Sequence, residues 1–278
     1  MTHTLDNGTL RIVVDTHGAE LKSLVKGETD FICSGTDFWK YSSPILFPIV
    51  GKLKDDTFRF DGKSYTLASH GFGRLSDFVR VDDSPLTFRL AYSDDTLKNY
   101  PFKFALTVSY RLDGSEVIIT DRVENLDDKD IYFSLGAHPA LRVDGDFDTW
   151  QLEFNQSEHC ARIPLTGGLL SRERIPTLDG RTLKLSYDLF KDDALIFDDF
   201  KSDAVTLRGK NHAVTLKASG WPFWGFWTKI GAPFVCIEPW HGHADFCDFN
   251  GEFSDKDGIR TLEAGNSFSA QYSLVVDA

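Results

Sequence analysis

The chain has 278 residues, 41% of them hydrophobic and 26% charged, with a formal net charge of −12. That length buries a substantial core without disulfides or metals, and the composition is that of a folded chain rather than a disordered one. No cluster of Lys and Arg is dense enough to track a phosphate backbone, and no apolar run approaches the roughly 18 residues of a membrane helix, so neither nucleic acid nor membrane is an expected partner. Cys33, Cys160, Cys236 and Cys247 are scattered, with no C-x-x-C pair. They read as reduced thiols in a reducing compartment. The opening Met1-Thr-His-Thr-Leu-Asp shows no basic region followed by an apolar stretch, so a cytoplasmic protein without a signal peptide is expected.

The dominant periodicity along the chain is two. Leu10, Ile12 and Val14 alternate with Arg11 and Val13 before Gly18 interrupts the run. Ser43-Pro-Ile-Leu-Phe-Pro-Ile-Val-Gly51 is apolar but holds two prolines, which excludes a central ladder strand and predicts a wall or an edge. Phe58-Arg-Phe60 and Tyr65-Thr-Leu67 flank Asp61-Gly62-Lys63-Ser64, a hairpin signature, and Leu106 to Leu112, Asp113-Gly114 and Val117 to Thr120 repeat the form. Asp-Gly suits such turns because both residues tolerate positive φ. Further strands are predicted over Phe78 to Val81, Thr87 to Tyr92, Ile131 to Leu135, Trp150 to Phe154, Ala204 to Leu207, Ala213 to Leu216, Phe234 to Ile237 and Phe268 to Val276. Residues 157–187 are more polar and irregular, and read as an excursion at the rim. No dozen residues carry a helical stripe. Many short strands at close spacing predict an all-β sandwich or barrel, in one domain spanning 1–278.

Four local sequences carry candidate chemistry. In Gly136-Ala-His138-Pro-Ala140 the histidine follows a strand beside a glycine, and its ordinary pKa near 6.5 suits proton transfer; the structural alternative is a ring satisfying loop backbone. In Cys236-Ile-Glu238-Pro-Trp240 an acid closes an apolar strand, a costly placement unless it is paired or functional. Partial burial would raise its pKa toward that of a general base, whereas a salt bridge is the structural alternative. Ser69-His70-Gly-Phe-Gly-Arg74 is glycine-rich, so backbone can approach a ligand, and Arg74 offers a planar fork for hydroxyls, carboxylate or phosphate. Finally, His241-Gly-His243-Ala-Asp245 has metal-ligand spacing if it lies on a strand, although Phe246 stands where the H-x-H-x-D-H pattern of binuclear metallohydrolases places its last histidine. Trp221, Trp224 and Trp227 recur as W-x-x-W-x-x-W, mostly core by expectation, with one available to stack on the apolar face of a ligand.

Taken in this order, the H-G, G-x-H-P and E-P-W segments resemble the aldose 1-epimerase (galactose mutarotase-like) superfamily, in its branch of shorter bacterial epimerase-like proteins associated with lactose gene clusters. The resemblance spans the chain, from Asn7-Gly-Thr-Leu10 and Gly18-Ala-Glu-Leu21 to Gly258-Ile-Arg-Thr-Leu262-x-x-Gly265. It implies a large antiparallel two-sheet β-sandwich with an open carbohydrate cleft. It further implies that Glu238 is the general base on the anomeric hydroxyl, that His138 is the general acid on the ring oxygen, with the two on opposite sides of the sugar, and that His70 holds substrate. Gly51-Lys52 departs from the asparagine-arginine pair of galactose-type members, replacing a planar fork by a point charge. The H-G-F-G-R segment is similar instead to the branch acting on hexose 6-phosphates, which makes Arg74 a substrate contact and Lys52 a weaker one. Trp240 is expected as a cleft wall, and Asp193 is the nearest counterpart of the family's substrate-binding aspartate, within a loosely matching segment. The implied partner is a sugar or sugar phosphate and the implied assembly a monomer or homodimer. No cofactor or metal is required. The alternative is a carbohydrate-binding or regulatory sandwich without chemistry.

Overall fold

The computed structural model describes residues 1–83 and 85–277. Two antiparallel sheets carry the architecture. The larger has nine strands, in the order Ile175–Lys184, Gln151–Arg162, Ala204–Arg208, Ala213–Lys217, Ser267–Asp277, Glu116–Asn125, Phe104–Asp113, Leu86–Ala91 and Val79–Asp83. The second has six: Leu195–Phe197, Phe223–Trp227, Phe234–His241, Leu135–Ala137 and Ile45–Leu46 in order, with Ala140–Arg142 pairing alongside Leu135–Ala137 on the Phe234–His241 strand. A four-stranded sheet is formed by Thr2–Asp6, Arg11–Asp15, Glu20–Lys26 and Thr29–Asp30. Among the described residues the one α-helix is Asp94–Asn99, started by a Ser93–Thr96 capping box.

The core lies between the two large sheets, and the period of two sorts every side chain of the six-stranded sheet. Val235 and Ile237, Trp224 and Phe226, Leu195 and Phe197, and Leu135 and Ala137 face the nine-stranded sheet, where they join Leu106, Val108, Ile119, Leu216 and Leu274. Their neighbours Ile196, Trp240 and Leu46 belong to a separate cluster on the opposite face. That face is covered by segments around Ile163–Leu170 and Ala244–Phe246. The Phe234–His241 strand is therefore buried on both sides over its full length. This explains why it reads as an unbroken apolar run in which Glu238 is conspicuous.

Several expectations shift in detail. The Asp61-Gly62 hairpin turns on those two residues, both at positive φ (51° and 70°), as a type I′ turn requires. In the second hairpin the register Asp113↔Glu116 moves the turn to Gly114-Ser115, with Gly114 at φ 55°, a type II′ arrangement needing one left-handed residue at its first central position. The proline-rich run does form an edge: Ile45–Leu46 is the last strand of its sheet. Residues 157–187, expected as an irregular excursion, instead extend the Gln151–Arg162 strand and supply Ile175–Lys184 as the sheet's outer strand, with register shifts after Glu153 and Cys160 that break the alternation. The strand predicted to end at Ile237 runs through Pro239 to His241.

One buried ion pair ties the loops over the six-stranded sheet together. Lys256, with only 1% of its side chain exposed, sits 3.0 Å from Asp245 Oδ1 and donates to the His243 carbonyl at 2.7 Å. Asp245 in turn accepts the Lys54 backbone N–H at 2.9 Å, and its own N–H donates to the Lys52 carbonyl at 2.8 Å. Lys256→Met leaves Asp245 buried without its cation and is expected to cost about 3–5 kcal/mol, read as a lower urea midpoint.

Candidate active site

Glu238 and His138 meet through sheet register. Gly136 pairs with Trp240 and Ala140 with Cys236, on either side of an interruption at His138-Pro139. The same antiparallel register carried across that gap sets position 138 opposite position 238. Directly opposed residues share a face and bring their side chains together. His138 Nε2 lies 3.2 Å from Glu238 Oε2. The pair is on the face turned away from the main core, because Cys236, Glu238 and Trp240 alternate with the core residues Val235 and Ile237.

That face opens into a cavity of about 250 Å³, lined among others by Lys52, His70, Arg74, His138, Glu238 and Trp240. All six residues singled out from the sequence thus border one space. Its volume is below the roughly 300–1,000 Å³ of sites for drug-sized ligands. Asp193 lines it as well, held at φ 90° with its carboxylate accepting the Ala194 N–H at 2.8 Å. Trp240 is slotted between two glycines: a Cβ on Gly225 would fall 2.4 Å from its ring, and one on Gly136 would fall 2.7 Å from it. Both glycines are therefore close-approach positions.

Sequence reasoning missed Trp39, whose ring lies 4.8 Å from that of His138 at an interplanar angle of 32°. It sits in an irregular stretch without a motif. Trp227 also lines the cavity, 5.8 Å from His138. Here the signal was present: Trp224 and Trp227 are separated by an odd number on one strand, so one faces the core and the other must face the cleft.

Burial dominates the electrostatics. Glu238 is 1% exposed and His138 7%. Desolvation pushes the Glu238 carboxyl well above its ordinary 4.5; Asp193 adds to the rise, and the Trp240 indole N–H opposes it without reaching hydrogen-bond geometry. The same desolvation, helped by His70 and Arg74, drops His138 well below 6.5. Both directions favour a neutral carboxyl facing a neutral imidazole, with one proton between them, over an ion pair. His70 is lowered to about 3 by burial and by Arg74. Its Nδ1 accepts the Gly51 N–H at 3.1 Å, which leaves the proton on Nε2 as a donor. It is held at φ 64°, a left-handed conformation uncommon outside glycine, and followed by Gly71 at φ 66°. Arg74 donates to the Ser69 carbonyl at 2.9 Å and stacks 4.7 Å over Tyr41. Among the described residues neither Arg74 nor Lys52 forms an ion pair. Of five buried side-chain polar atoms there without a hydrogen-bond partner, three belong to cleft residues: Arg74 Nε, His138 Nδ1 and Trp240 Nε1. Such concentration marks a place built to contact something polar.

The H-x-H-x-D segment is not assembled as a metal site. The strand ends at His241, so the one-face geometry of a strand does not extend to His243. His241 stacks 4.4 Å from Trp221, His243 Nδ1 bonds the Ala244 carbonyl at 2.8 Å, and Asp245 is taken by Lys256.

An antiparallel sandwich with a small polar and aromatic cleft on the outer face of its shorter sheet has close counterparts among solved structures. The galactose mutarotase related enzyme of Lactobacillus acidophilus is 33% identical with a TM-score of 0.94, the match covering 100% of this chain and 98% of that one. A galactose mutarotase-like protein of Lactobacillus casei is 29% identical with a TM-score of 0.91, covering both chains fully. The model of the aldose 1-epimerase family matches residues 1–274, and the chain belongs to that family. It is also 30% identical to the chromosomal LacX protein of Lactococcus lactis over 99% of both chains. No helix among the described residues is long and apolar enough to cross a membrane.

A stability measurement tests the neutral carboxyl. A carboxyl whose pKa rises on folding contributes stability that is complete below its unfolded value and is lost as pH climbs toward the folded one. Glu238→Gln removes that loss. The variant is expected to gain on the wild type by about 1.4 kcal/mol per pH unit above 4.5, until the folded carboxyl itself ionises. Urea titrations at several pH values check it, and a constant difference with pH overturns the assignment.

Proposed function

We propose that the chain acts as one sandwich domain and is an aldose 1-epimerase, interconverting the α and β anomers of an aldose or aldose 6-phosphate. The observation that carries this is the Glu238–His138 contact bordering a cleft of about 250 Å³. The two groups are neighbours on the cleft floor, 3.2 Å apart, and not on opposite sides of the ligand. That arrangement suits the reaction, because the anomeric hydroxyl and the ring oxygen are both bonded to C1 and lie side by side. A pyranose resting on the floor meets both groups at once.

The proton count fits. Ring opening needs a carboxylate at Glu238 to take the hydroxyl proton and an imidazolium at His138 to protonate the ring oxygen as the C1–O5 bond breaks. The reactive charged pair and the resting neutral pair differ only by one proton moved across the 3.2 Å contact. Ring opening leaves Glu238 protonated and His138 neutral, the form burial favours. Rotation about C1–C2 and the reverse transfers then close the ring on the other carbonyl face. The cleft is thereby matched to the open-chain half of the cycle, and each positioned transfer supplies roughly 10²–10⁴ in rate. His70 Nε2–H and Trp240 supply contacts to the sugar, and Arg74 and Lys52 contribute two cations without ion-pair partners to hold a 6-phosphate.

Anomer exchange followed by NMR on glucose, galactose and glucose 6-phosphate tests this reading. Glu238→Gln or His138→Asn is expected to lower kcat by at least about 10². Arg74→Ala is expected to raise KM roughly tenfold more for the phosphorylated than for the free sugar, as loss of a charge-assisted contact does. The singly protonated pair gives a broad bell in kcat/KM: the acid limb lies below 6.5, because His138 is depressed, and the alkaline limb lies above 4.5, because Glu238 is raised. If no aldose in the panel exchanges faster with protein than with buffer, the enzyme reading fails.

Two observations favour a second reading, a carbohydrate binder without chemistry: His138 Nε2 and Glu238 Oε2 already meet each other, and Lys52 replaces a planar fork. Calorimetric sugar binding that survives Glu238→Gln, with no exchange above buffer, would select it.

A further inference from the structure

The strand that carries Glu238 also places a thiol beside the pair. Cys236 is two residues before Glu238 and so faces the same way, and it is paired with Ala140, two residues after His138. One ligand atom from each of His138, Cys236 and Glu238 lies within 4.8 Å of the other two. Among the described residues this is the group of His, Cys and acidic side chains whose ligand atoms converge, in place of the H-x-H-x-D segment. Cys236 has no disulfide role. It and Cys33 lie on either side of Ala140, Cys33 N–H donating to the Ala140 carbonyl at 2.9 Å, which makes them two strand spacings apart. That is roughly 9.6 Å between Cα atoms, beyond the roughly 4.4–6.8 Å a disulfide spans.

We propose that His138, Cys236 and Glu238 form a binding site for a thiophilic divalent cation, Zn²⁺ being the one whose chemistry fits, and that an ion there holds the pair and stops proton transfer. The second half rests on the epimerase reading above; the binding half does not.

Bond lengths of about 2.0–2.3 Å to nitrogen, oxygen and sulfur in a tetrahedron place ligand atoms roughly 3.3–3.8 Å apart. The His138–Glu238 separation of 3.2 Å is already at that edge length, and the separations to sulfur need to contract by at most about 1.3 Å. One imidazole, one thiolate and one carboxylate are Zn²⁺ ligands, and the softness of sulfur selects against Mg²⁺ and Ca²⁺. Charge balances as well. Zn²⁺ displaces one proton from the thiol and one from the carboxyl, so the buried site keeps its net charge while two protons leave to solvent. The three protein ligands leave a fourth tetrahedral position; His138 and Glu238 border the cleft while Cys236 is fully buried, so an ion arriving from the cleft enters by parting the His138–Glu238 contact. An occupied site denies Glu238 to the anomeric proton and the His138 nitrogen to the ring oxygen.

The test uses the full chain stripped of metal with chelator, and Zn²⁺ as titrant in calorimetry, with Co²⁺ as an optical probe whose thiolate charge-transfer absorption reports a sulfur ligand. Expected are one Zn²⁺ per chain and a Co²⁺–thiolate band, with Cys236→Ala and Cys236→Ser each weakening Zn²⁺ at least a hundredfold and abolishing the band. Cys247→Ala, at the exposed cysteine, should leave both unchanged. Exchange activity of the wild type should fall with Zn²⁺ occupancy and return with chelator. Each Cys236 variant, scored against its own metal-free rate, should need at least a hundredfold more Zn²⁺. Thermal unfolding of both variants confirms that loss of binding is not loss of fold. Unchanged Zn²⁺ affinity in folded Cys236→Ala, or no stoichiometric binding to the wild type, overturns the site. Stoichiometric binding that leaves an active enzyme uninhibited overturns its link to the reaction. A protein with no exchange activity still reports the site by calorimetry and the band, so failure of the epimerase reading is separable.

Discussion

A carboxyl group kept out of water in the middle of a sheet, with an uncharged imidazole as its nearest polar neighbour, is the constraint around which the rest of this molecule is arranged. Leaving it charged there would cost several kcal/mol. Burial favours the protonated form, and among the described residues no Lys or Arg pairs with it. Lys52 and Arg74 border the same space yet form no ion pair with Glu238, while Lys256, the buried lysine near by, is spent on Asp245. The Lys256–Asp245 pair is structural: it anchors the backbone at Lys52, Lys54 and His243, and of these segments Lys52 and Ala244 border the cleft.

Backbone geometry, and not side-chain reach, sets the distance between the two central groups. The register across Pro139 fixes which residues oppose each other, and strand alternation fixes which face they share. Trp227, Ile196 and Trp240 arrive at the cleft by the same rule. The loops then close over a floor that is already composed, bringing His70, Arg74, Lys52 and Asp193.

This accounts for what was legible in the amino-acid sequence. Alternation and turn residues were enough for the all-β class and for most strands, because those signals are local. An acid ending an apolar run drew notice to Glu238 for a local reason too. The contact between positions 138 and 238 was not readable from composition or spacing, since it depends on pairing between segments a hundred residues apart; the family resemblance implied that both serve one sugar, from opposite sides, and not that they touch. Strand Ile175–Lys184 escaped because its pairing with Gln151–Arg162 shifts register twice and only Leu178 in it is buried, which leaves no apolar alternation to read. Pro239 suggested a strand end, whereas in the structure the strand continues through it. Trp39 belongs to a segment with no periodicity, and only the three-dimensional chain path sets it against the imidazole. The H-x-H-x-D pattern misled because its spacing presumes a strand that stops at the first histidine.

The slot that holds Trp240 has a wider consequence. Gly136 and Gly225 both lie against its ring, closer than any side chain at either position would allow, so the floor of the cleft is packed to the limit there. Adaptation to sugars of different shape must then come from the opposite boundary, the connecting segments that carry Leu165, Gly168, Asp193 and Ala194. Change is accordingly easier to accommodate at the rim of this cleft than at its base, where one added methyl collides with an aromatic ring.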